Sequence, residues 1–315
     1  MADDLTLTFL GTSAAVPTAQ RGLSSTLVSQ RGSRLLIDCG EGTQRQLARY
    51  AGLIEVDAVL LTHWHADHCL GLLGLLKTYA LTGRLRPIDL VAADIDAHWP
   101  VLAPLLGDLP FEVRHITAVA GETVWKTKDL SVSAFPTEHT AASVGYLLSE
   151  PDRPGRVDLA AADQLGVTAG PLLGALQRGE VVDVAGRTVT PSQVVGPARR
   201  GRRVVLTGDT APTPATASAA AGADVLVHEA TFTDDLRERA AALGHSTARQ
   251  AARVAAEAGV TMLVLTHLSQ QVHPANSAAQ ARSEFSRVLI PDDGDVLTVP
   301  LPERGPPTLG GSVAV

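Results

Sequence analysis

The chain has 315 residues, 45% of them hydrophobic, 19% charged and only 3% aromatic, and its 26 basic and 33 acidic side chains give a net charge of −7. This composition excludes a disordered chain. It argues against nucleic-acid binding through overall basicity and against an aromatic platform for stacking bases, and two cysteines, Cys39 and Cys69, exclude a disulfide scaffold and a four-cysteine zinc site.

At the N-terminus, Asp3 and Asp4 stand where a signal peptide would carry basic residues. The apolar stretch 69–76 stops at Lys77 and is too short to cross a bilayer. A soluble, cytoplasmic protein with no membrane segment is expected. Short apolar runs at 5–10, 35–37, 58–61, 204–206, 225–227 and 262–265 read as buried strands. Helical spacing marks 43–50, 70–81, 233–243 and 247–258. Strands alternating with helices predict an α/β layered fold. The segment after Ser149 differs: Pro151, Pro154, Pro171, Pro191 and many glycines interrupt it, and no long buried strand is visible. The chain therefore reads as one domain over 1–315, with an insertion at 149–196 and a loose tail at 301–315.

Most of the apolar runs end on a residue that binds metals or moves protons: Asp38, His63, Asp209, His228 with Glu229, and His267. Strand ends along one sheet edge converge on ligand sites in α/β folds. The sharpest segment is Thr62-His63-Trp64-His65-Ala66-Asp67-His68. In extended backbone His63 and His65 point to one side, and the turn into the next helix swings Asp67 and His68 around. Four such side chains so close together can serve two neighbouring metals, and imidazole with carboxylate suits Zn²⁺.

His63–His68, read HWHADH, resembles the HxHxDH signature of the metallo-beta-lactamase superfamily. LTFLGTSAAVPT, RLLIDCGEGTQRQL, FPTEHTAASVGYLL, GVTAGPLLGALQRGE, LTGDT, VHEATF, LGHSTARQAA and LTHLS, in that order, resemble segments of the ribonuclease Z family. That resemblance implies an αββα sandwich with a projecting flexible arm, and an endoribonuclease that removes the 3′ trailer from precursor tRNA after the discriminator nucleotide, leaving a 3′-hydroxyl. It implies one zinc on His63, His65 and His139, a second on Asp67, His68 and His267, and Asp209 bridging both. Mn²⁺ or Fe²⁺ are possible substitutes. Two ions about 3.5–4 Å apart clamp the attacking and leaving oxygens of a phosphodiester, and the hydroxide between them attacks. Asp67 orients or deprotonates that nucleophile, while His245, supported by Glu229, protonates the leaving oxygen. Within the arm, Gly170, Pro171, Gly174 and Arg178 resemble the glycine–proline segment that clamps the tRNA elbow from the partner subunit of a homodimer.

The other residues have plainer readings. Asp38 is expected as a hydrogen-bond partner of a ligand, Ser246 or Thr247 as a helix N-cap, and His228 as a buried histidine outside the ligand set. His98, His115 and His273 read as surface residues and both cysteines as small core residues. Arg199, Arg200, Arg202 and Arg203 form a basic cluster with two readings, RNA docking or a solvated loop. Ala66 replaces a glycine common in the family, the Arg and Tyr often found after His267 are missing, and Thr168-Ala169 stand where a proline is usual. Two rival functions are a small-substrate phosphodiesterase or hydrolase of the same fold, opposed by the arm, and a non-catalytic RNA-binding protein, opposed by the complete ligand set.

Overall fold

The computed structural model describes residues 4–311. It divides into two compact units, one formed by the chain up to Ser149 and from Arg202 onward, the other by Glu150–Gly201. The first unit begins with β1 (Leu5–Gly11), β2 (Ser25–Gln30), β3 (Ser33–Ile37), α1 (Thr43–Ala51), β4 (Ala58–Leu61), α2 (Ala66–Cys69), α3 (Gly71–Leu81), β5 (Ile88–Ala92), α4 (Ile95–Leu102) and β6 (Val113–Thr117). It continues through β7 (Thr123–Lys126), β8 (Ser131–Pro136) and β9 (Val144–Ser149). The second unit supplies α5 (Leu159–Gln164), α6 (Pro171–Gln177), β10 (Val182–Val184) and β11 (Arg187–Val189). The chain then adds β12 (Arg203–Leu206), α7 (Pro214–Ala219), β13 (Val225–Glu229), α8 (Arg237–Ala242), α9 (Ala248–Ala258), β14 (Met262–Thr266), α10 (Pro274–Arg282), β15 (Val288–Leu289), β16 (Val296–Val299) and β17 (Thr308–Gly310).

Two mixed sheets result, ordered β17-β16-β1-β2-β3-β4-β5-β6 and β15-β14-β13-β12-β9-β8-β7. Side-chain alternation explains why the strands read as continuous apolar runs. Leu35, Ile37, Ala58 and Leu60 of one sheet share a core with Val204, Leu206, Val225, Val227 and Val264 of the other. The alternate residues Leu36, Val59 and Leu61 face Leu47 of α1 and Leu72, Leu75 and Leu76 of α3. On the other side Val205, Leu226, Leu263 and Leu265 pack on Ala251, Ala252 and Ala255 of α9. Three apolar layers between two sheets and two helical shells make the expected αββα sandwich.

Three expectations are corrected. The tail is not loose where it is described: Leu309 and Thr308 pair with Leu297 and Thr298, so β17 closes the sheet edge, and residues 312–315 lie outside the described residues. The helix expected over 233–243 is a 3₁₀ turn, Asp234–Leu236, followed by α8. The insertion ends at Gly201, not 196, because its returning strand pairs with the outgoing one through Arg153–Arg199 and Val157–Val195 bridges. Those strands approach closely at Gly155, where a Cβ would lie 1.8 Å from the Gly196 carbonyl oxygen.

The second unit carries its own small core of Ala162, Val167, Leu176, Val182, Val189 and Val194. Asp158 caps α5 by accepting from the amides of Ala160 and Ala161. Ala185 and Gly186, with φ of 51° and 82°, turn the β10–β11 hairpin.

Candidate metal centre and proton-transfer pair

The site residues come from chain segments that follow strands. His63 and His65 follow β4, α2 carries Asp67 and His68, and His139 lies between β8 and β9. Asp209 follows β12, Glu229 ends β13, His267 follows β14, and His245 lies between α8 and α9. The backbone is bent sharply at two of these exits: Asp38 and His267 have φ of 59° and 57°, a left-handed conformation that only surrounding contacts maintain in residues with a side chain.

The structure brings together His63, His65 and His139 as one group and Asp67, His68, Asp209 and His267 as a second, with donor atoms within 4.8 Å of one another in each. His63 and His65 fall in one set and Asp67 and His68 in the other, the division that the alternation followed by a turn implies. Asp209 lies between the groups, with Oδ2 3.3 Å from His68 Nε2, 3.8 Å from His63 Nε2 and 3.9 Å from His139 Nε2. Its Oδ1 faces His267 Nδ1 at 3.3 Å. His267 Nε2 is 3.3 Å from Asp67 Oδ2.

Outer hydrogen bonds fix which ring nitrogen faces the shared space. His68 Nδ1 is 2.8 Å from Asp38 Oδ2, His63 Nδ1 is 3.0 Å from Thr62 Oγ1, and His139 Nδ1 is 2.9 Å from the Gly244 carbonyl. Asp38 also accepts from the Thr62 amide and hydroxyl at 2.8 and 3.0 Å, so one carboxylate orients two histidines, directly and through Thr62. The remaining nitrogens confront one another: His139 Nε2 lies 3.1 Å from His65 Nδ1, and His68 Nε2 lies 3.2 Å from His267 Nε2. His63 Nε2 and Asp209 Oδ1 are buried without a hydrogen-bond partner among the described residues. Inward-facing imidazole nitrogens and buried orphan atoms fit divalent cations, because otherwise the desolvation of these groups goes uncompensated.

Burial opposes charge on these groups and their neighbours decide the outcome. Burial would raise the Asp67 carboxyl, but the His267 hydrogen bond and the His68 charge hold it well below the usual range. Asp209 is likewise held low, against its burial, by His267 and His68. Burial and the neighbouring His68 keep His63 neutral.

Beside the ligand groups lies a second constellation. His245 Nδ1 is 2.7 Å from Glu229 Oε1. Glu229 also accepts from the amides of Thr210 and Thr231 and from the Thr231 hydroxyl at 2.6 Å. Burial would lower the His245 imidazolium, but Glu229 overrides it and raises the pKa to about 9. Burial would raise Glu229, which His245 holds down. Sequence reasoning missed Thr231, whose hydroxyl lies 2.9 Å from His267 Nδ1 and 3.3 Å from His245 Nδ1, joining the donor cluster to the His245–Glu229 pair. Its signal was position alone, two residues beyond Glu229. A cleft of about 260 Å³ opens onto His65, Asp67, Asp209 and His245, and Phe232, Arg239 and Gln271 form part of its wall.

The other expectations resolve locally. Thr247 caps α9 in a capping box with Gln250, and Ser246 donates to the Thr210 carbonyl. His228 is buried with Nδ1 2.8 Å from the Glu229 carbonyl oxygen. His273 caps α10 and His98 stacks on Trp64. Cys39 and Cys69 are free and buried, and burial raises both thiols. The basic cluster is divided: Arg202 is fully buried and donates to the Val299 carbonyl at 2.9 Å, so it is unavailable to RNA. In the second unit Gly170 is the N-cap of α6, Pro171 its first residue, Gly174 lies within it, and Arg178 at its C-cap pairs with Glu180 at 2.7 Å.

A histidine–aspartate cluster on the loops of an αββα sandwich defines a metallohydrolase class, and the model of the metallo-beta-lactamase superfamily matches residues 20–267. A protein of Myxococcus xanthus named Ribonuclease Z is 48% identical over 305 residues, spanning 94% of this chain and 98% of its own. One of Haloarcula marismortui with the same name is 44% identical over 303 residues, spanning 94% and 97%. The chain belongs to the ribonuclease Z family of the metallo-beta-lactamase superfamily. Among solved structures, the short form of human tRNase Z is 25% identical with a TM-score of 0.67, covering 94% of this chain and 99% of its own. The metallo-beta-lactamase fold protein YhfI of Bacillus subtilis, 21% identical with a TM-score of 0.69 over 94% and 99%, shares the fold.

Proposed function

We propose that two zinc ions serve this metal-dependent endoribonuclease in removing the 3′ trailer from precursor tRNA, one held by His63, His65 and His139 and the other by Asp67, His68 and His267, with Asp209 shared. The bond cut joins phosphorus to O3′ of the discriminator nucleotide, so the tRNA leaves with a 3′-hydroxyl and the trailer with a 5′-phosphate. When bound, the ions supply Lewis acidity that activates water and offsets charge on the phosphate. Asp67 orients the attacking water by accepting its hydrogen bond, a task suited to a carboxylate held in its charged form.

His245 delivers a proton to O3′ as the bond breaks. Its Nδ1 is committed to Glu229, so the other ring nitrogen carries the transferable proton, and a pKa raised to about 9 keeps that proton in place at neutral pH. Glu229 and Thr231 hold the ring in position. The observation that carries the reading is this juxtaposition: His65, Asp67, Asp209 and His267 of the donor cluster border one cleft with His245, the partner of Glu229. In a small-substrate hydrolase the unit Glu150–Gly201 would have no role, whereas an elongated RNA needs a contact far from the reacting bond.

That unit is the arm. Its segment Gly170–Arg178 grips the tRNA elbow, and the enzyme works in the cytoplasm as a homodimer in which each arm serves the partner's site. No helix among the described residues is long and apolar enough to cross a membrane. The test is incubation of the zinc-loaded protein with end-labelled precursor tRNA and mapping of both product ends. Cleavage after the discriminator with a 3′-hydroxyl is expected. A 2′,3′-cyclic phosphate, or hydrolysis of small phosphodiesters alone, would refute it.

A further inference from the structure

The catalytic cleft continues beyond the histidines. Its wall of Ser269, Gln270 and Gln271 is shared with a second groove of about 360 Å³. That groove in turn shares Thr18, Gln20 and Arg21 with a third of about 180 Å³, which runs along α1 past Arg45, Gln46, Arg49 and Tyr50. The shared residues make one path leading away from the cluster.

Cations line its far end. Arg21 pairs with Asp292, Arg86 with Glu55 and Asp57, and Arg249 with Asp234 and Glu284. Arg45 and Arg49 are exposed and have no carboxylate partner among the described residues. The nearby Asp293 is already engaged, accepting from the Gly22 amide at 2.6 Å and from Gln46 at 2.7 Å. Glu41 is the one acidic residue on that wall. The two free guanidiniums stand four residues apart on one helix face, about 6 Å along its axis, a spacing that suits successive phosphates of an extended strand. Arg49 also lies over the Tyr50 ring, 5.0 Å from its centroid, so a half-buried aromatic surface adjoins the cations.

In a precursor tRNA the nucleotides beyond the cut are single-stranded, whereas those before it end a helix. We propose that this path carries the 3′ trailer away from the site, with Arg45 and Arg49 engaging two of its backbone phosphates. The inference rests on the precursor-tRNA reading and adds a binding surface to it.

The test uses two precursors with the same tRNA body, one with a trailer of a single nucleotide and one with a trailer of about ten, a length chosen to run past both arginines. The intact protein and R45E/R49E are compared by kcat/KM over a range of salt. For the long trailer the double variant is expected to lose about tenfold, and the slope of log(kcat/KM) against log salt is expected to flatten by about 1.4, the single-strand value for two phosphates. The single-nucleotide trailer and a small aryl phosphodiester should be cut as before, which separates lost docking from a damaged fold. R45K/R49K should restore most of the loss, since a point charge suffices for a phosphate. Equal losses on both trailers, or none on the long one, would overturn the proposal. An intact protein that cuts neither precursor would overturn the tRNA reading itself.

Discussion

Glu229→Gln isolates what the carboxylate does for His245. The substitution keeps the shape of a fully buried side chain but removes the charge that raises the imidazolium from 6.5 to about 9. Burial then acts on the histidine without its main opponent, and its pKa falls to the ordinary value or below. At pH 7.5 the intact protein holds about 97% of His245 protonated, and a group titrating at 6.5 about 10%, so the reactive acid falls about tenfold. The sign is that of a raised histidine: the proton is present below pH 9 and lost as pH rises through it. In the intact protein kcat for precursor tRNA should therefore hold its value up to about pH 9, whereas the alkaline limb in Glu229→Gln moves below neutrality. Metal content measured by mass spectrometry should stay constant, because Glu229 lies outside the proposed ligand set. An unmoved alkaline limb would refute the proton-donor assignment, and loss of metal would make Glu229 a ligand.

Asp209→Ala should lower the occupancy of both ions, since its carboxylate faces both histidine groups; full two-metal content would rule out bridging. Asp38→Asn leaves the ligands in place but weakens the hold on His68 and Thr62, and should cost about 10–100-fold in metal affinity, measured by competition with a chromophoric chelator. Arm removal is simple to build because Ser149 and Arg203 are paired neighbours in β9 and β12. Replacing Glu150–Gly201 with a short Gly-Ser turn should preserve hydrolysis of a small aryl phosphodiester and abolish efficient cleavage of precursor tRNA. Undiminished cleavage would remove the arm from recognition.

What the sequence disclosed depended on how local the cause was. The strands over 35–37, 58–61 and 262–265 were legible because both of their faces are buried, which turns alternation into an unbroken apolar run. By contrast β6 passes through Arg114 and His115, both exposed, and carries no such run. Pairing of β17 with β16 depends on partners the tail's own residues do not announce. The division of His63 and His65 from Asp67 and His68 follows from the turn between them, whereas His139 and His245 were found only through the order of family motifs. Thr231 was missed because a threonine after a strand is ordinary until Glu229, His245 and His267 are seen around it. Arg202 looked like a surface cation because burial of an arginine depends on a distant acceptor, here the Val299 carbonyl.

The donors are drawn from both halves of the sandwich. His63, His65, Asp67 and His68 are tethered to the sheet containing β4, whereas His139, Asp209 and His267 belong to the sheet containing β8, β12 and β14. Each proposed ion takes ligands from both, so a filled site acts as a rivet through two sheets that share a side-chain core and a few hydrogen bonds, such as that from the Val144 amide to the Thr62 carbonyl at 3.0 Å. Chelation should then do more than stop the reaction. It should lower the midpoint of thermal unfolding, since an ion bound only by the native state stabilises it by RT ln(1 + [L]/Kd). Hydrogen exchange should rise first at the loops after β4 and β12, where the two sheets are held to each other. Loosening the sandwich with mild denaturant should therefore quicken exchange of bound metal with solution.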